Sequence, residues 1–256
     1  MGKPIVALNL FPQFSVNWGE NYDSGTNLCR SVFVLDSLLH VMNFHLPIKD
    51  LASTTVLFDL QRGNPNCLKE SRIIFLSCSP SHWTQTTYQL AHEMCHLVIS
   101  AEVIPELQWL EESICELSSL YFLPKISKLW KDLDVRLPAS DTTLYSSLFE
   151  KYALDSRSDI TLFNLSLLAT HPVESELSSL IADCYQRSKN RYVSLQLLPI
   201  FEHFPKTWHA IPYLSKVPDQ LSFPDSLAKW IELSPKESRI GLQEMAAVFG
   251  ASIPLA

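Results

Sequence analysis

The chain has 256 residues, 46% hydrophobic and 18% charged, which rules out a disordered polymer and allows one large domain or two small ones. Its net charge of −7 and pI near 5.6 argue against a general nucleic-acid binder, which would carry a basic surplus. The short basic cluster from Arg187 to Arg191 reads as a solvated helix end.

In chain order, Pro4 to Leu10 is an apolar run too short for a membrane span or a secretory core, and reads as a first β-strand. Gly2 is not a myristoylation site, because Val6 stands where a Ser or Thr is needed. Six cysteines (Cys29, Cys67, Cys78, Cys95, Cys115 and Cys184) lie far apart with no CxxC pair, which fits a reducing compartment; a cytoplasmic location with no membrane partner is expected. Leu28 to Phe44 has the apolar spacing of a helix, and Thr54 to Leu60 that of a strand. A turn cluster follows at 61–66, then a strand from Arg72 to Cys78 with Thr54 to Leu60 as its neighbour. Ser79-Pro80-Ser81 caps a helix from Trp83 to about Ser100. A further helix should run from Pro105 to about Leu123, with Pro124 near its end. From about Thr142 the chain reads as helical, most clearly at Leu144 to Leu154, Ser175 to Arg187 and Tyr192 to Phe204, with breaks at Pro172, Pro199 and Pro205. The proline-punctuated tail reads as irregular with short helices. The expected fold class is therefore α+β: a small N-terminal mixed sheet plus an active-site helix, then a mostly helical C-terminal half. The division falls at 1–130 and 131–256, or the two parts form one continuous domain.

The chemistry is concentrated in His92-Glu93-Met94-Cys95-His96. Imidazoles four residues apart share one helix face, so both can reach one tetrahedral zinc ion (Zn2+), with Glu93 beside them as a base for an activated water. Glu93 is the only charged side chain between Trp83 and Ala101. On so apolar a helix a carboxylate is costly unless something compensates it, and a metal with its water would do so. A chance HExxH on a surface helix would be set among Lys, Arg and Glu; here the variable and flanking positions are uncharged.

The next helix carries Trp109-Leu110-Glu111-Glu112-Ser113-Ile114-Cys115-Glu116. At about 100° per residue, Leu107, Ile114, Leu117 and Tyr121 share a stripe with Leu110, while Glu112 and Glu116 lie opposite, at about 200° and 240°. Glu112 is the expected third ligand. Glu116, one turn on, is expected in an outer role, accepting the far N–H of a zinc-bound imidazole. Glu111, at about 100°, is the nearest competitor to Glu112, and the bland alternative is a solvated acidic face. Cys95 and Cys115 read as small core residues. A donor for a developing oxyanion has to come from elsewhere, with His171, Tyr185, Arg191, Tyr192, His203, His209 and Tyr213 as candidates. Each of these also reads as a packing or surface residue, and His40 and His45 read as structural or exposed.

These two segments resemble the gluzincin branch of the zincin metallopeptidases. The resemblance spans about Arg72 to Leu123, a fifth of the chain. It implies a zincin-like fold, metal ligands His92, His96 and Glu112, general base Glu93, an outer role for Glu116, and a peptide or protein substrate rather than nucleic acid. It also implies an edge strand that pairs with an extended substrate, at the place occupied by Arg72 to Cys78. The short interval from His96 to Glu112 suits the compact minigluzincins. No Gly-Ala-Met-Glu-Asn segment supports exopeptidase action, and no third histidine stands at metzincin spacing. The resulting expectation is a zinc metallopeptidase. The alternatives are a zincin-fold binding or regulatory protein without peptidase activity, and a helical interaction protein with an accidental motif.

Overall fold

The computed structural model describes residues 5–18, 26–137 and 140–254. Gly2 and Pro4 lie outside them, as do the side chains of Leu28, Cys29 and Thr142. The architecture is α+β, and the chain divides into two compact units: Met1–Val98 with Ser118–Ser156, and Ile99–Leu117 with Arg157–Ala256.

The first unit holds a mixed sheet of five strands: β1 (Ile5–Ala7), β2 (Phe14–Asn17), β3 (Thr54–Phe58), β4 (Asn66–Leu68) and β5 (Ile73–Leu76). Their order is β1-β2-β3-β5-β4, with β2, β3 and β5 parallel and the two outer strands antiparallel to their neighbours. Alternation places Phe14 and Val16, Val56 and Phe58, and Ile74 and Leu76 on a buried face, as a period of two requires. The helix α1 (Thr26–Met42) covers hydrophobic surface through Val34, Leu35, Leu38, Leu39 and Met42, all buried at helical spacing.

Two expectations are corrected here. The strand expected at Arg72 to Cys78 is shorter, and it is not an edge: β5 pairs with Thr54–Phe58 on one side and Asn66–Leu68 on the other. The expected turn cluster ends early. A 3-10 turn at Leu60–Arg62 and Gly63 in the left-handed region (φ 77°) reverse the chain soon enough for β4 to form and take the outer position.

The helices α2 (Trp83–Ile99), α3 (Gln108–Asp132) and α4 (Ser146–Asp155) follow, with a short hairpin of β6 (Arg136–Leu137) and β7 (Ser140–Leu144) before the last. Pro124 does not end α3, which runs eight residues further. Proline removes the N–H that would reach the Leu120 carbonyl, yet Ile126 and Trp130 beyond it are fully buried, and that burial outweighs one lost hydrogen bond. Trp130 meets Trp83, Tyr145 and Phe149 at ring-centroid distances of 5.6, 5.4 and 5.1 Å, which joins the start of α2 to the end of α3 and to α4.

The second unit contains a 3-10 turn at Pro105–Leu107, the first ten residues of α3, α5 (Leu167–Thr170), α6 (Leu177–Ala182), α7 (Arg187–His203), a long 3-10 segment Pro205–Lys216, α8 (Phe223–Leu233) and α9 (Arg239–Val248). Its core includes Trp109 against Phe223 and Phe249, and Phe201 against Trp208. The helix expected from Ser175 to Arg187 is broken after Ala182. There Asp183 Oδ1 accepts from the Tyr185 N–H at 3.0 Å, and Gln186 Nε2 donates to the Ser179 carbonyl at 2.7 Å, side-chain bonds that compete with the helix ladder. Pro199, expected as a break, lies inside α7. Among the described residues no helix is long and apolar enough to cross a membrane.

Candidate metal centre

The helix α2 is anchored to the end of the sheet through Gln89. Its Oε1 accepts from the Ser77 N–H at 2.9 Å, and its Nε2 donates to Ser77 Oγ at 3.1 Å. Nearby, burial pushes the Cys78 thiol up to about 11, so that cysteine stays protonated and inert.

The seam between α2 and the Ser118–Asp132 part of α3 is lined by small residues. Ser118 Oγ donates to the Ala91 carbonyl at 2.8 Å, and Ser119 Oγ to the Tyr88 carbonyl at 2.7 Å. Ala91, Cys95, Ser118 and Ser119 are all buried, and their size lets the two backbones come close enough for hydroxyl-to-carbonyl bonds. Ala91 immediately precedes His92, and Tyr88 stands one turn before it.

His92 and His96 are half-buried, with ring centroids 5.1 Å apart and planes inclined at 60°. Glu93 between them is 3% exposed. On α3, taking Leu110 as the origin, Ser118 and Ser119 point at about 80° and 180°, so the side turned toward α2 is centred near 130°. Cys115 lies at about 140°, inside that sector, with Glu111 at about 100° and Glu112 at about 200° on its flanks. The ring nitrogens of His92 and His96 and Sγ of Cys115 all lie within 4.8 Å of one another. Two imidazoles and a thiol in this proximity are a donor set that suits zinc.

The structure thus brings together the expected His92 and His96 with a residue read as core filler. Cys115 is indeed fully buried, but its sulfur is directed at the imidazole pair. The signal that could have found it is its direction on the helix, midway between the two glutamates. Glu112 is half-buried and is not a member of the His92/His96/Cys115 group. Its carboxylate lies near Cys184 and Tyr185: burial first, then the Glu112 charge, raises the Cys184 thiol. Burial, followed by Cys184 and Glu112, raises the Tyr185 phenol. Glu111 is buried. Glu116 is buried as well, and its Oε1 accepts from Arg191 Nε at 2.8 Å, a partner the sequence reading did not anticipate.

Of the proposed oxyanion donors, Tyr185 lies near the expected ligand Glu112. Arg191 is engaged by Glu116 and by the Ser158 carbonyl. Tyr192 packs on Phe163, His203 on Phe204, and Tyr213 lies beneath the Lys216 ammonium. His171 Nδ1 sits 3.0 Å from Thr170 Oγ1, and His209 Nδ1 3.7 Å from Glu237. His40 packs on Phe44, and His45 between Tyr121 and Phe122. No protein-family model, characterised protein or solved structure matches this chain.

Proposed function

We propose that this protein is a zinc-dependent peptidase built on the HExxH pair, with a third donor from the following helix. The observation that carries the reading is the grouping of His92, His96 and Cys115 on two tied helices, with buried Glu93 on the same turn as the imidazoles. His92 and His96 would hold the ion with a donor from α3. That donor is Cys115 Sγ where it stands, or the longer carboxylate arm of Glu112 one turn before it.

Zinc supplies a Lewis acid that polarises a carbonyl and makes a water more acidic. Glu93 takes the proton of the attacking water onto its carboxylate and returns it to the leaving amine nitrogen. An extended peptide would add alongside β4, one of the two outer strands of the sheet, with main-chain hydrogen bonds giving affinity and side-chain pockets giving preference.

Metal analysis and a peptide-library cleavage assay test the reading together. The purified chain should hold one zinc, and Glu93→Gln should keep the metal while cleavage falls by roughly 10²–10⁴-fold. A metal-free preparation under non-chelating conditions overturns it. Unchanged cleavage by Glu93→Gln would remove Glu93 from the reaction. A cellular effect that survives this substitution would favour a binding or regulatory protein instead.

A further inference from the structure

We propose that Arg62 determines which peptides dock on β4: it selects an extended segment that carries a carboxylate side chain beside Asn66, glutamate above aspartate. This names a substrate class for the peptidase reading and rests on the strand pairing that reading includes.

The strand β4 pairs with β5 on one side, and its Asn66 and Leu68 are exposed. The register sets Asn66 opposite Phe75 and Leu68 opposite Ile73, and residues opposite one another send their side chains to the same face. That face is turned away from buried Ile74 and Leu76, and Ile73 and Phe75 are half-buried on it. The Arg62 guanidinium lies over this face, with Cζ 3.7 Å from the Phe75 ring centroid. Stacking on the ring keeps the cation in one place above the sheet. Arg62 is exposed and, among the described residues, enters no ion pair. Asp59, the nearest carboxylate in sequence, caps the turn that carries Arg62, its Oδ1 accepting from the Gln61 N–H at 3.1 Å. Glu70 lies in the turn after Leu68, at the other end of β4. In a chain of net charge −7, a held cation without an ion-pair partner is a place for an anion from outside.

The docked strand supplies that anion. A peptide paired along the free side of β4 lies about 4.8 Å beyond it, and its residue opposite Asn66 projects to the face of Phe75 and Arg62. A carboxylate there reaches back across the short Asn66 side chain, so the longer arm of glutamate meets the guanidinium better than aspartate does. This is also the end of the sheet tied to the histidine helix. Phe75 stands two residues before Ser77, which Gln89 of α2 grips three positions ahead of His92. The selected side chain therefore belongs to the stretch of peptide beside that anchor.

The test is a positional library of extended peptides, varied to Glu, Asp, Gln or Lys one site at a time. It is read by cleavage in the wild type and by fluorescence-anisotropy binding in Glu93→Gln. One site should favour Glu over Gln by roughly five-fold at low salt, the strength of an exposed ion pair, with Asp between them, and the preference should fade at high salt. Arg62→Ala should erase it and Arg62→Glu should turn it toward Lys, both with denaturant stability close to wild type, because the side chain replaced is exposed. A wild type with no Glu-favouring site, or with one that persists in Arg62→Ala, would overturn the inference, and cleavage of the library would leave the peptidase reading intact. Arg62-dependent binding without cleavage by the wild type would keep Arg62 as the selecting residue and overturn the peptidase reading. Protein that neither binds nor cleaves any peptide overturns both.

Discussion

Ser118 Oγ donates a 2.8 Å hydrogen bond to the Ala91 carbonyl, tying the residue before His92 to the residue three after Cys115. The bond lies between two buried backbones and spans 27 residues of sequence. It sets how closely the histidine helix and the donor helix can approach.

Ser118→Val should therefore do more than Ser118→Ala. The alanine variant loses one hydrogen bond, about 1 kcal/mol, with zinc affinity close to wild type. The valine variant also forces extra carbon into a tight seam, costing about 1–3 kcal/mol, and should weaken zinc binding by spreading the donors. Denaturant midpoints with zinc titrations measure both. Identical behaviour of the two variants would show that the spacing of the seam does not control the site.

The identity of the third donor can be read spectroscopically. With cobalt in place of zinc, a thiolate ligand gives a near-ultraviolet charge-transfer band. That band is expected in the wild type and in Glu112→Gln, and should vanish in Cys115→Ser. A wild-type spectrum without it would assign the position to Glu112 and leave Cys115 as a neighbour.

Alkaline pH should loosen the first unit through Cys78. Burial raises this thiol from 9.0 to about 11, so the folded state keeps a proton that the unfolded chain releases. The sign follows: the full contribution is present below pH 9 and is lost as pH rises toward 11, an amount on the order of 2 kcal/mol. Tyr145, pushed up to about 12, adds a similar trend at higher pH. Denaturant stability followed across that range should fall less steeply in Cys78→Ala than in wild type. Equal slopes would remove Cys78 as the cause.

Much of the local architecture is legible in the sequence. The bounds of α2 fell within a residue of those expected, and the strands at Thr54 and Ile73 were recognised as neighbours. Their signals are periodic and lie within single elements: Trp83 and the Ser79-Pro80-Ser81 cap at one helix end, β-branched runs bounded by turns at the strands. Pro124 misled because proline reports a missing N–H, whereas the helix continues on the burial of Ile126 and Trp130. The strand Asn66–Leu68 was hidden because three residues, two of them exposed, carry no alternation worth reading.

The imidazole pair is a property of the chain alone: residues at i and i+4 on any helix share a face, whatever packs against it. Which residue of α3 joins them is a different kind of fact. Glu111, Glu112 and Cys115 all fall within about 100° of one another, and the choice among them depends on how α3 is turned about its axis, which the Ser118 and Ser119 bonds to α2 set. Likewise the 75-residue separation of Glu116 and Arg191 has no local signature, because a charge pair across two helices exists only once packing has brought those helices together. Backbone periodicity is written residue by residue, whereas the rotation and contact of whole elements emerge from the burial of many side chains at once.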